Sequence, residues 1–331
     1  MTRTKRRVWQ GGMVAGGIFL LLLPLLIQSS YVLCLIDQVL IFSVCVIGLN
    51  YITGLTGQNN LGMGAIFGLG AYTTALLSVD CGISPFLCLP FVILMGLLIG
   101  YALGRPSLRV KGIFLALTTL SFGEIIRILE TNLQFTHASI GVRGIPSYRI
   151  FGFEFNTYGR FYYLALLALL LVGVLSTRII HSRWGREFIA IRENEDSMAS
   201  NGINVARVKI TAFTLCAVIG CIAGAMYAHM INYIHPTDFK ADLSIKFLMM
   251  LMLGGIGSIP GIIVGCSVVT LLPELLRVLD DYYMLIFSVI LLLFAVLKPF
   301  GLVSIWRDIQ GKIIRRGARF EATRKETEND P

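Results

Sequence analysis

Runs of apolar residues long enough to cross a bilayer recur about ten times along this chain, and no other feature constrains its fold as strongly. They occupy 13–28, 31–50, 61–79, 86–104, 112–130, 161–177, 207–230, 243–258, 261–279 and 282–298, with only short polar segments between most of them. A backbone in lipid must satisfy its own hydrogen bonds, which a helix does within one segment. The predicted fold class is therefore an all-α polytopic membrane protein of about ten transmembrane helices. Of 331 residues, 56% are hydrophobic and 14% are charged, whereas a soluble domain is about a quarter charged. No stretch remains for a soluble catalytic domain.

The net charge of +9 does not point to nucleic acid. Lys and Arg gather at the amino terminus, in 105–111 and 178–192, and in a tail with Arg307, Lys312, Arg315, Arg316 and Arg319. With the amino terminus inside, the span order puts all of these on the cytoplasmic face, which is the positive-inside pattern. Both termini are then cytoplasmic, and membrane lipid is the surrounding medium. Arg3, Lys5, Arg6 and Arg7 before the first apolar run resemble a signal peptide, and Ser29 and Ser30 permit a weak cleavage site. Further spans follow at once, which favours an uncleaved first span. The expected organisation is a transmembrane domain over 1–306, with a cytoplasmic loop at 178–206, and a disordered cytoplasmic tail over 307–331. The seven cysteines fall mostly in apolar runs without metal-ligand spacing and read as small buried residues.

Two segments, 53–62 and 254–261, are too rich in Gly, Asn and Pro for an uninterrupted helix. Discontinuous helices are therefore expected, with freed backbone groups facing protein or a water-filled cavity. Gly57, Gln58, Asn59 and Asn60 in the first segment, and Gly254, Gly255 and Ser258 in the second, are candidate translocation-pathway residues. The competing reading is turn chemistry for the polar residues and close helix packing for the glycines. Both segments join an inward-running to an outward-running span and lead into small-residue helices, as a decayed internal repeat would. Glu124, about a dozen residues into its span, is the remaining pathway candidate. Arg127 one turn later offers a local ion pair instead. Lys246, Asp37 and the pair Glu274 and Arg277 lie near span ends, where snorkelling explains them. No histidine stands at metal-ligand spacing from carboxylates, so no metal or cofactor is expected in this chain.

The segment 182–204 is charged yet carries Phe188, Ile191, Met198 and Ile203. Asn194 before Glu195 and Asp196 reads as a helix start, and Asn201-Gly202 as a stop, predicting a short capped surface helix over about 195–201. Such a helix either docks on a partner or rests on lipid, and its acids argue against an anionic lipid surface.

At these residues the sequence resembles the permease subunits of branched-chain amino acid ABC importers, specifically the longer M-type of the two Liv permeases. The resemblance runs from about residue 50 to 302. It rests on Gly54-Leu-Thr-Gly57, Gly68-Leu-Gly-Ala-Tyr72, Thr119-Leu-Ser-Phe-Gly-Glu124, Gly185-Arg-Glu-Phe-Ile-Ala-Ile-Arg-Glu-Asn-Glu195, Gly202-Ile-Asn204, Lys209, Ala212-Phe213, Gly254-Gly-Ile-Gly-Ser258 and Lys298-Pro-Phe-Gly-Leu302. It implies a pore-forming permease domain in the bacterial inner membrane. The implied partners are a second, homologous permease subunit, two ABC ATPase subunits and a periplasmic substrate-binding protein. Gly185, Arg186, Glu187, Arg192, Glu193, Asn194, Glu195, Met198 and Gly202 would form the coupling region on an ATPase subunit, with the short helix as coupling helix. The chain has no GxxxxGK[ST] phosphate loop, which agrees with ATP and Mg being bound by partners and with a non-catalytic subunit. It departs from the family at Thr136-His-Ala-Ser-Ile-Gly141 and at Gln58-Asn-Asn-Leu-Gly62, where substrate would pass. Import of urea or short amides, and a proton-coupled secondary transporter using Glu124, stay open as alternatives. A membrane-embedded enzyme ranks last, since no nucleophile or acid–base set shares a helix face.

Overall fold

The computed structural model describes residues 23–24, 26–27, 29–150, 153–277 and 282–297. The expected tail, 307–331, lies outside the described residues, as does most of the first expected span. The helices are α1 (Ser30–Leu49), α2 (Met63–Val79), α3 (Pro85–Gly104), α4 (Ile113–Asn132), α5 (Tyr158–His181), α6 (Arg183–Glu193), α7 (Glu195–Ser200), α8 (Val205–Ile231), α9 (Ala241–Gly254), α10 (Ile259–Leu276) and α11 (Tyr283–Leu297). Short strands β1 (Val142–Arg143), β2 (Arg149–Ile150), β3 (Phe153–Glu154) and β4 (Tyr233–Ile234) lie between them. Five helical runs among the described residues are long and apolar enough to cross a membrane: Ser30–Leu55, Pro85–Leu108, Tyr158–His181, Val205–Ile231 and Ile259–Leu276. The chain is an all-α polytopic membrane protein, with five such runs among the described residues.

The bundle is built around α8, which packs against α1, α2 and α3. Glycine makes these approaches possible. On α3, Gly96 and Gly100 stand four residues apart, and a Cβ on Gly96 would lie 2.6 Å from Val218 Cα. On the other side, a Cβ on Gly224 would overlap the Phe67 carbonyl oxygen of α2, and one on Gly70 would overlap the backbone of Cys221. In lipid, where helices gain little from hiding apolar surface, this backbone-to-backbone contact supplies the packing energy. Next to it, Phe42 of α1, Phe67 of α2, Tyr227 of α8 and Phe247 of α9 form one aromatic cluster. Ring centroids stand 5.2 Å apart for Phe42 and Phe247 and 5.3 Å for Phe67 and Tyr227.

Two segments differ from their expectations. α1 continues through the first glycine as a π-helical turn, Asn50–Leu55, so the irregular backbone begins only at Thr56. Neither glycine-rich segment interrupts a helix; each is the turn between two helices, α1 and α2 or α9 and α10. α9 stops at Gly254 rather than at 258, because Gly255 and Gly257 hold φ of 103° and 78°. Pro260 does not break a helix either: it sits in the first turn of α10, where its missing N–H costs nothing.

The loop from 133 to 157 is fixed to the bundle at the end away from the basic segments. β1 pairs antiparallel with β4, Val142 opposite Ile234. Asn232 Nδ2 donates to Ile145 O at 2.6 Å, and His229 Nδ1 lies 2.6 Å from Pro146 O. Asp37, expected to snorkel, is instead fully buried where α5 covers that end of α1. Lys246 is likewise turned inward, its Nζ 5.5 Å from the centre of the Phe42 ring.

Gly224→Ala is expected to destabilise the chain by about 1–3 kcal/mol through overpacking. Gly123→Ala, whose Cβ would find Ala65 Cβ at an ordinary 3.6 Å, serves as the comparison. Thermal unfolding in detergent checks this, and equal midpoints for both variants would refute the α2–α8 packing described.

Candidate functional site

At the end of the bundle that carries the basic segments, the chain leaves the apolar helices and makes two short ones. Ser182 Oγ accepts from Trp184 N at 3.2 Å and caps α6. A Cβ on Gly185 would overlap the Ile180 carbonyl, so glycine is what lets α6 fold back tightly beside α5. α6 then turns Phe188 and Ile191 inward. The Phe188 ring meets Tyr51 edge-on at 6.2 Å, which seats α6 on the π-helical turn. α6 was not foreseen in the sequence, where only the second helix of this region was expected. That helix forms as α7, with Asn194 Oδ1 accepting from Ser197 N at 2.9 Å.

Three polar contacts fix this pair of helices. Glu195 Oε1 accepts from Lys209 Nζ of α8 at 2.7 Å, and its Oε2 stands 3.1 Å from Lys111 Nζ before α4. Lys209 is buried, so Glu195 is its necessary counter-charge. Partial burial works against a charge on Glu195, but the two lysines outweigh it and hold the carboxyl below its ordinary value. Third, Arg192 Nη1 donates to the carbonyl oxygen of Gly54 at 2.9 Å.

The turn after the π-helical segment satisfies its backbone piece by piece. Thr56 Oγ1 donates to Ile52 O at 2.7 Å, and Gln58 N to the same oxygen at 3.1 Å. Asn60 Oδ1 accepts from Gly62 N at 2.9 Å, Thr119 Oγ1 of α4 from Leu61 N at 3.0 Å, and Ser244 Oγ of α9 from Gly64 N at 2.8 Å. Thr53 Oγ1 and the Gln58 side-chain oxygen are buried without a hydrogen-bond partner among the described residues. In the second turn, Gly257 N donates to Asn50 Oδ1 at 3.0 Å, and Ser258 Oγ caps α10 by accepting from Gly261 N at 3.4 Å.

The structure thus sets Gly57 against the Arg192 side chain, while Gln58 and Asn60 bond within their own turn, and Asn50 reaches Gly257 in the turn that holds Gly254, Gly255 and Ser258. Glu124 lies on α4. Its carboxylate is half exposed and paired with Arg127, whose Nε lies 3.0 Å from Oε1. Of the other expected residues, Gly185 is buried, Glu187 pairs with Arg183 at 2.8 Å, and Met198 packs partly against the core. Arg186, Glu193 and Gly202 are exposed. Residues missed in the sequence are Asn50, Lys111, Thr119 and Ser244. The legible signal was an asparagine closing an apolar run four residues before a glycine. Among the described residues no group of His, Cys, Asp and Glu is arranged to hold a metal ion.

Comparison with known proteins gives a family match over residues 31–296, described as the permease component of branched-chain amino acid transport systems. The chain is 35% identical, over 81% of its length and 69% of the relative's, to the high-affinity branched-chain amino acid transport system permease protein LivM of Escherichia coli K12. It is 26% identical to a probable LivM of Methanocaldococcus jannaschii, over 78% of this chain and 76% of that one. The ribose import permease RbsC of Bacillus subtilis is 27% identical, over 85% and 90%. No solved structure matches the chain.

Glu195→Gln is expected to loosen α7 and cost about 3 kcal/mol, because buried Lys209 loses its counter-charge. The same anchor is intact at neutral pH and is lost as pH falls through the lowered Glu195 pKa, where the carboxylate takes up a proton. Hydrogen exchange over 195–200 measures both, and unchanged protection in the variant would contradict the anchoring role.

Proposed function

The chain belongs to the permease-component family of branched-chain amino acid transport systems, and we propose from this premise that it is the membrane-spanning subunit of an ABC importer for branched-chain amino acids. Its partners are two ATPase subunits that bind ATP and Mg, a periplasmic substrate-binding protein and a second, homologous permease. The protein lies in the bacterial inner membrane with about ten transmembrane helices and both termini cytoplasmic, an orientation supported by the basic loops. On this reading 1–306 is the permease domain and 307–331 a cytoplasmic tail.

The observation that carries the reading is the docking of α6 and α7. Two polar-faced helices outside the apolar bundle are bolted to it by Phe188, Arg192 and Glu195. A chain without a phosphate loop has little use for such helices unless an outside motor moves them. Gly185, Glu187, Asn194, Glu195 and Met198 then shape the coupling region, while exposed Arg186, Glu193 and Gly202 are available to touch the ATPase. α7 is the coupling helix, and α6 carries its motion inward.

The second permease is supported by α4. Only Leu115, Thr119 and Glu130 of that helix are buried in this chain. Its outer side shows Ser121 and the Glu124–Arg127 pair at about the middle of the span. A half-exposed ion pair is costly against lipid there and calls for a protein or aqueous neighbour. Substrate would pass along that side, by the turn at 57–60.

Reconstitution tests the proposal. The four kinds of subunit in liposomes, with ATP inside the compartment the ATPases face, should accumulate leucine and not urea. Uptake by this chain alone under a proton gradient without ATP would replace the importer reading with a secondary transporter. Urea uptake in place of leucine would move the substrate to short amides.

A further inference from the structure

We propose that Arg192 and Asn50 are positioning residues that tie α6 to both glycine-rich turns, so that a displacement of α6 moves the turn at 255–258 together with the one at 56–62. The proposal rests on the reading that a partner ATPase moves α6 and α7, and it specifies where that motion goes.

The contacts form one line. Arg192 Nη1 donates to Gly54 O at 2.9 Å. That carbonyl belongs to the last turn of the π-helical segment, where helix geometry leaves oxygens without an internal donor. The same arginine also lays its stem along the turn: a Cβ on Gly57, already at φ 70°, would lie 2.8 Å from Arg192 Cγ. One helical turn before Gly54, the Asn50 side chain is almost fully buried and crosses to the second turn, accepting from Gly257 N at 3.0 Å. Gly54 leaves the passage for it, since a Cβ there would overlap Asn50 Oδ1 and lie 3.4 Å from Ile256 Cγ2. Gly54 is therefore where the arginine, the asparagine and the second turn converge.

Chemistry distinguishes this line from the other seat of α6. Phe188 against Tyr51 is an apolar contact that tolerates sliding, whereas a charge-assisted hydrogen bond to one carbonyl fixes register. Gly257, at φ 78°, has its N–H turned out of any helix, and Asn50 is the partner that holds it. Glu195 grips α8 and the Lys111 segment instead, so it does not duplicate the link. At this end of the bundle the two turns are thus held to each other and to α6.

The test uses the whole importer in proteoliposomes and reads leucine imported per ATP hydrolysed. Arg192→Met keeps the stem over Gly57 and removes the donor; Asn50→Leu keeps the volume and removes the acceptor. Each is expected to lower the ratio about tenfold, within the range of coupling changes seen for single substitutions. The double variant should be no worse than the poorer single, because the two contacts act in series. Arg192→Lys, which keeps a charged donor on a long stem, should stay within about threefold of the unmodified importer. Unchanged ratios in the Met and Leu variants, a fully multiplicative double variant, or import and hydrolysis falling together at constant ratio would each overturn the proposal. Failure of the unmodified importer to take up leucine with ATP is a separate result that removes the functional reading itself.

Discussion

A backbone N–H or C=O that a turn leaves buried among packed helices must find its partner in the protein. The architecture depends on how this chain meets that demand in its two glycine-rich turns. Side chains from distant elements are recruited as donors and acceptors at these turns and at the start of α2: Thr119 from α4, Ser244 from α9, Asn50 from the π-helical segment and Arg192 from α6. Each recruited group ties a turn to another helix. Satisfying the backbone and joining the helices are therefore the same set of bonds.

That set of bonds has a rigid reference in α8. Glycines on α2, α3 and α8 let backbones meet so closely that α8 can hardly shift against its neighbours without steric overlap. Lys209, near one end of α8, holds Glu195 and with it α7. α6 also meets α8, where Arg207 lies over the Trp184 ring, and it alone of the two holds the π-helical turn, through Phe188 and Arg192. Both surface helices thus rest on the fixed core and α6 in addition grips a turn, an arrangement suited to passing motion at the surface inward.

Much of this was legible in residue order. The apolar runs placed the helices, since a span has one length scale and a helix one rise per residue. The α7 start was legible because Asn194 caps locally, within three residues of its acceptor's partner. α6 was not legible, because its charged face masks an apolar pattern of only Phe188 and Ile191, and its stability comes from Tyr51, more than a hundred positions away. The π-helical turn was hidden for the same reason: the glycine at 54 argues for a break, and only the Asn50 side chain passing beside it explains why the helix continues. Glu124 and Arg127 could be paired from their spacing, but their exposure on α4 is a property of what packs around that helix.

The sequence by itself determined that the chain spans a membrane, where its long apolar helices lie and which end is basic, because those features follow from local spacing and side-chain chemistry. Tertiary structure alone decided which broken segment meets which helix. The partners of Gly54, Gly64, Gly257 and Glu195 lie between 14 and 207 positions away in the chain, and hydrogen bonds over such separations carry no periodic signature in the sequence.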